Sequence, residues 1–254
     1  MTNGAEPTIA SLSGCNLRMV RGEIRGRELR RWMGYRHLQD ADHAFHCLLK
    51  ECFGELAPKP FRVVMDRSGH QGVLYGYCMA GAAELRESAA IYADPLQTII
   101  LPPGSLQSKV MPSEWSVGRR LGFEVRIRPV VRKANTTGRY RDEQDVFQQV
   151  AQQFPEEEMP FTREEIYAQW LSQHLERDGA VHLQGGETRL TSFRILRSFR
   201  KQNSRYVAGP DAVMRGNLTV GNPESFESLL ARGVGRHRSY GYGMLLLRPL
   251  QPLQ

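Results

Sequence analysis

Residues 216–250 read GNLTVGNPESFESLLARGVGRHRSYGYGMLLLRPL. Ala212–Val220 is an apolar run of strand type. Asn222-Pro223-Glu224 then opens a helix: an Asn side chain satisfies a free amide, and Pro presets φ for the first turn. Gly233 stops that helix. Residues 233–243, Gly-Val-Gly-Arg-His-Arg-Ser-Tyr-Gly-Tyr-Gly, form a loop that leads into a last strand over Tyr240–Leu247. Its glycines permit positive φ and close backbone approach. The loop is not a dinucleotide fingerprint, which must follow a strand and open a helix; here the order is reversed. It is not a Walker loop either, because it has no Gly-Lys-Ser/Thr. A glycine loop on its own is usually a plain turn. With Arg236, His237 and Arg238 inside, exposed amides and guanidinium groups suit phosphate.

Working outward, Leu121–Val131 alternates, with Phe123, Val125 and Ile127 on one side and Glu124, Arg126 and Arg128 on the other. It predicts a strand with one apolar and one cationic face. Asn135–Gly138 is a loop, and Asp145–Phe154 a short helix. Thr162-Arg163-Glu164-Glu165 is a capping box opening a helix to His174. Thr188–Phe199 carries apolar residues beside arginines. The second half thus reads strand, helix, strand, strand, helix, strand, the order of a ferredoxin-like unit.

The first half begins in the same way and reads as a less regular second copy. A strand is expected over Ile9–Val20, followed by a basic, irregular stretch at 21–39 with a short helix around Glu28–Trp32. Asp40 or Asp42 caps a helix to Phe53, which Gly54 ends. Phe61–Met65 and Val73–Met79 are strands, Ile91–Leu101 is mostly extended, and Leu106–Ser116 is a weak connection. The fold class is α+β. The division near residue 112 separates an N-terminal unit, 1–112, with an Arg-rich insertion at 21–39, from a C-terminal unit, 113–254, with the Gly-rich loop at 233–243.

Composition narrows the function. Of 254 residues, 41% are hydrophobic, enough for a real core. No apolar run approaches a membrane span, so no membrane partner is expected. Met1–Ala10 shows no secretory pattern. Cys15, Cys47, Cys52 and Cys78 contain no CxxC pair, which speaks against zinc and disulfides and fits a reducing cytoplasm. The net charge is +7, from 29 arginines and only five lysines against 27 acids. Codon bias and a surface selected for phosphate both explain such a ratio; guanidinium binds phosphate bidentately and stacks on bases. The arginines cluster, at 18–36, 119–141, 194–205 and 232–238, while acids gather elsewhere, as at Glu156–Glu158. Segregated charge of this kind suggests a polyanion groove.

The stretch at 216–250, the strand FEVRIRPVVRK (123–133) and the helix REEIYAQWLSQHLERDGA (163–180) resemble the CRISPR-associated endoribonucleases of the repeat-associated superfamily, in particular the CasE-like branch. Similarity is strong over 121–250 and loose before it. The Arg-rich N-terminus resembles the divergent processing nuclease of type IV systems. The resemblance implies two ferredoxin-like domains in tandem. It implies cofactor-free, metal-independent cleavage of precursor CRISPR RNA beside the repeat hairpin. In that reaction the ribose 2′-hydroxyl attacks the adjacent phosphate, leaving a 2′,3′-cyclic phosphate and a 5′-hydroxyl. The partners it implies are the CRISPR RNA repeat hairpin and the other subunits of an effector complex.

In CasE-like enzymes a histidine near the start of the first helix takes part in acid–base work. The match here is His43, in the first turn of the helix from Asp40, with His46 one turn on as second choice and His37 third. Tyr35 is a candidate for orienting the ribose or phosphate. The sequence lacks a clearly aligned tyrosine–histidine pair, so an arginine-dominated site built on Arg25, Arg36 and Arg238 stays open. Candidate RNA contacts are Arg21, Arg25, Arg27, Arg126, Arg128, Arg194, Arg197 and Arg200, with Gly233, Gly235, Arg236, His237 and Arg238 in the loop. Aromatics such as Tyr240 and Tyr242 are available to stack on unpaired bases. The alternatives are a catalytically inert hairpin-binding subunit and a general RNA-binding module.

Overall fold

The computed structural model describes residues 17–132, 143–154, 159–198 and 207–250. Two four-membered βαββαβ units follow one another. In the first, β1 (Arg18–Arg25) runs into α1 (Gly26–Tyr35) and α2 (Ala41–Phe53). The pair β2 (Phe61–Met65) and β3 (Gln71–Cys78) follows, then α3 (Ala82–Tyr92), α4 (Pro95–Ile100) and β4 (Gln107–Val110). Its sheet order is β2-β3-β1-β4 and antiparallel. In the second unit, β5 (Arg120–Ile127) is followed by the small ribbon of β6 (Val130–Arg132) and β7 (Glu143–Asp145). Then come α5 (Val146–Ala151), α6 (Arg163–Leu175) and β8 (Val181–His182). The long ribbon of β9 (Arg189–Ser198) and β10 (Val207–Val220) precedes α7 (Pro223–Arg232) and β11 (Leu245–Arg248). Here the order is β11-β5-β10-β8, the same ferredoxin-like pattern with β9 added beside β10.

Local chemistry explains most boundaries. The Asp40 carboxylate accepts from the Asp42 amide and caps α2, and Gly54 ends it at φ +55. Thr162 and Glu165 form the capping box of α6. Asn222 caps α7 ahead of Pro223.

Three expectations for the first half are corrected. The opening strand lies further along the chain than Ile9–Val20: it is Arg18–Arg25, and residues 9–16 lie outside the described residues. The stretch at 21–39 is no irregular insertion. Val20, Ile24, Leu29 and Trp32 are buried, so strand and helix both place alternate arginines outward around an apolar stripe. Ile91–Leu101 is helical, because Asp94, Pro95 and Gln97 make a capping box. Near the C-terminus, the last strand starts at Leu245, and Arg238–Tyr240 is a short 3₁₀ turn.

One core lies behind each sheet. Ile24, Leu48, Leu74, Leu85, Ile100 and Leu106 fill the first. Phe123, Val125, Tyr167, Leu171, Met214 and Phe226 fill the second. Each such side chain contributes about 1.5–3 kcal/mol of apolar burial. The expected solvent-facing cationic side of β5 is corrected as well. Glu124 and Arg128 are buried, and the Arg126 side chain is only 12% exposed. The first unit covers that face: Arg62 of β2 reaches Glu124 at 2.9 Å and Asp42 of α2 reaches Arg126 at 2.8 Å.

Candidate active site

The site forms where α2 meets the Gly-rich loop. His43 and His46, one turn apart, share a face of α2, their ring centroids 6.4 Å apart. The loop returns from α7 and sets Tyr240 against both, 4.9 Å from His46 and 6.2 Å from His43. His237 lies 6.2 Å from the same tyrosine. Tyr240 is therefore ringed by three imidazoles from two distant parts of the chain.

Backbone geometry builds the loop. The Val234 amide donates to the Gly243 carbonyl at 2.8 Å, and the Gly243 amide to the Arg126 carbonyl at 2.7 Å, tying the loop to β5. Gly243 has φ +77, and a Cβ there would collide with the Val234 carbonyl. Gly243→Ala is therefore expected to displace Tyr240: cleavage should fall while the melting temperature drops, and circular dichroism should keep the fold's signature. A Cβ at Gly235 would run into the Trp170 ring, which marks where the loop packs on α6.

Glu143 of β7 holds the loop from outside. It accepts from Arg236 Nε at 2.8 Å and pairs with His237 Nε2 at 2.6 Å. Burial alone would raise its carboxyl. The hydrogen bond and charge of His237, followed by Arg236, override it and hold the group down at about 2. Arg238 turns back to donate to the Arg232 carbonyl at 2.6 Å.

His46 has a pKa below its ordinary value. Burial is the main cause and the His43 charge adds to it; a hydrogen bond to the Ser239 backbone pulls the other way. That bond favours the charged ring, so the imidazole is its donor and the Ser239 carbonyl its acceptor. The second ring nitrogen then carries the lone pair. His46 is thus a neutral imidazole with a fixed tautomer and a free acceptor, the form a general base needs.

Behind the histidines, Arg126 ties α2 to the second sheet. Its Nη atoms reach both Asp42 oxygens at 2.8 and 2.9 Å, Nε reaches Asp211 at 2.6 Å, and Nη2 reaches the Tyr242 hydroxyl at 3.1 Å. Burial opposes its charge, but Asp211 and Asp42 outweigh burial and keep it protonated. Because Asp40 is the α2 cap, Asp42 is left to make this bond.

The other expected residues are dispersed. Tyr35 ends α1, is 71% exposed, and makes no hydrogen bond or ring contact among the described residues. Arg36 pairs with Glu51 at 2.7 Å and lies over Trp32. Arg21 is half-buried on β1; Arg25 and Arg27 are exposed at the β1–α1 junction, Arg27 lying 3.5 Å from His70. Arg128 is buried over Gly209. Arg194 stands exposed on β9 and bonds Asp211 at 2.7 Å. Arg197 pairs with Ala208 in the β9–β10 register, and Arg200 lies outside the described residues. Sequence reasoning placed Tyr240 among stacking aromatics and did not single out Glu143, Ser239 or Asp211. Only the Arg-His-Arg-Ser-Tyr run hinted at the hub.

A family profile described as CRISPR associated protein matches residues 19–249, and the chain belongs to that family. Among curated proteins, none matches in sequence. Solved structures share its fold. The CRISPR endoribonuclease Cse3 bound to a 19-nucleotide RNA aligns over 92% of this chain and 99% of its own, at 18% identity and a TM-score of 0.62. Thermus thermophilus Cse3, bound to an RNA representing a pre-cleavage complex, covers 92% and 100% at 18% identity and 0.58. Cas6e from Escherichia coli K-12 covers 92% and 100% at 17% identity and 0.54. These likenesses agree with the two ferredoxin-like units described above. Among the described residues, no helix is long and apolar enough to cross a membrane.

Proposed function

We propose that this protein is an endoribonuclease that cleaves precursor CRISPR RNA within the repeat, next to its hairpin, and keeps the product as a subunit of a cytoplasmic effector complex. The observation that carries the reading is the meeting of His43, His46 and Tyr240 between α2 and the Gly-rich loop. Two imidazoles a turn apart supply a base and an acid for an internal phosphoryl transfer. His46 takes the proton of the 2′-hydroxyl, and that oxygen bonds to phosphorus. As the bond to the 5′-oxygen breaks, His43 gives the leaving oxygen its proton. Tyr240 orients the ribose, and the loop's cations stabilise the phosphorane charge. The products are a 2′,3′-cyclic phosphate and a 5′-hydroxyl. The chemistry needs no metal and no protein nucleophile.

Support for RNA as the partner comes from the family and from Cse3 structures that hold RNA. Support for effector membership comes from a similar chain in a CRISPR RNA-guided surveillance complex, aligned at 14% identity with a TM-score of 0.54. We place the division between the two units at residue 112. The exposed arginines of β1, α1 and β9 grip phosphates and 2′-hydroxyls of the hairpin, since an RNA major groove is too deep to read.

The test is cleavage of a labelled repeat RNA in EDTA. A single cut at the 3′ base of the hairpin, ending in a cyclic phosphate, is expected. Tight binding without a cut would make the protein an inert hairpin-binding subunit, and the absence of both would end the assignment.

A further inference from the structure

Between β2, the first turn of α2 and the β9–β10 ribbon lies a cavity of about 420 Å³ that the reaction above leaves unused. Arg62, Arg126, Arg194 and Ser192 line it together with Asp42 and Asp211. Its electrostatics are unbalanced. Glu124, at its back, is shared by Arg62 at 2.9 Å, Arg215 at 2.6 Å and Arg248 at 2.8 Å. Asp42 and Asp211 are taken by Arg126 and Arg194. Five guanidinium groups therefore meet three carboxylates, an excess of two positive charges in one connected patch.

Arg62 bears most of that excess. Its side chain is nine-tenths buried. Nη2 holds Glu124, while Nε and Nη1 have no hydrogen-bond partner. A buried guanidinium with orphan donors is costly unless an anion completes it. Burial lowers its pKa most; Glu124 opposes this, and the charges of Arg126 and Arg248 lower it further. The ligand that fits is a tetrahedral oxyanion, which takes several guanidinium donors and a hydroxyl at once. Arg194 is 63% exposed and spends only Nε on Asp211, and Ser192 is exposed at the rim. The cavity also adjoins the histidine cluster. Its walls include Asp42 and Gly241, the chain neighbours of His43 and Tyr240.

We propose that this cavity is a second phosphate site, in which Arg62, Arg194 and the Ser192 hydroxyl receive a backbone phosphodiester of the RNA strand whose neighbouring nucleotide lies in the histidine cluster. The RNA part of this statement rests on the function proposed above; the phosphate part does not.

The test has two arms, using wild type, Arg62→Met and Ser192→Glu. Arg62→Met leaves Glu124 its other two arginines, and Ser192→Glu adds an anion at the exposed rim. In the first arm, inorganic phosphate replaces chloride at constant ionic strength, without RNA. Phosphate should raise the melting temperature of the wild type by mass action and that of neither variant. In the second arm, repeat RNA affinity is followed against salt. Loss of one phosphate contact should flatten the slope of log K on log salt by about 0.7 in each variant.

Equal phosphate stabilisation of all three proteins, or of none, would overturn the site. A phosphate effect lost in the variants with an unchanged RNA slope would overturn the RNA assignment and leave a counter-ion site. If the wild type neither binds nor cuts repeat RNA, the proposed function falls, and the first arm still decides the cavity.

Discussion

His46→Ala should slow repeat cleavage by about 10²- to 10⁴-fold, the usual contribution of a positioned acid or base, while hairpin affinity stays at the wild-type level. Single-turnover rates and filter binding separate the two readouts. The direction with pH follows from the site. Burial and the His43 charge hold the His46 imidazole below its ordinary pKa of 6.5, so the neutral ring persists to lower pH than a free histidine would. Cleavage should therefore be constant through neutrality and fall with acid along a limb centred below pH 6.5. An acid limb centred above 6.5 would take the base role away from His46. His43→Ala should also cost rate. If either substitution leaves the rate untouched while Arg238→Ala abolishes it, the arginine-dominated site is the correct one.

The second large effect concerns stability. Arg126→Ala should lower unfolding free energy by about 3–5 kcal/mol, the cost of breaking a buried ion pair from one side. The loss leaves Asp42 with no cation and Asp211 with Arg194 alone. It also removes the guanidinium that lies 4.2 Å over the Tyr242 ring. Denaturant melts should shift their midpoint at constant slope. A shift well under 1 kcal/mol would show that the two sheets are joined by apolar packing alone. Arg126→Met, which keeps the volume but not the charge, should also destabilise, because the carboxylates remain.

Much of the second half could be read directly. The helix over Arg163–Leu175 and the one over Pro223–Arg232 announce themselves by Thr162 with Glu165 and by Asn222 with Pro223, and caps are local chemistry. The first half was less legible because its signals are long-range. Arginines at 18–31 hide a strand and a helix whose apolar stripe is only every second or third residue. Asp94 and Gln97 cap a helix too short to show periodicity. At the site, His43 and His46 were visible from their place on the first capped helix. Their partner Tyr240 was not, because its ring reaches them only once α7 returns the chain to α2. The alternation of β5 correctly gave its apolar face. Whether Glu124, Arg126 and Arg128 faced water depended on the other sheet, which no local pattern encodes.

The hydroxyl of Tyr77 donates to the Leu245 carbonyl at 3.0 Å, across 168 positions of chain, inside the buried seam between the two sheets. Synthesis runs from the N-terminus, and domains fold as they emerge. While the ribosome is still making the rest, the first sheet carries a phenol whose acceptor has not yet been polymerised. It waits in a form that leaves this seam open. The nascent protein therefore locks its two halves only after β11 is released, and a chain truncated before Leu245 should expose the Tyr77 surface to chaperones rather than assemble the histidine cluster.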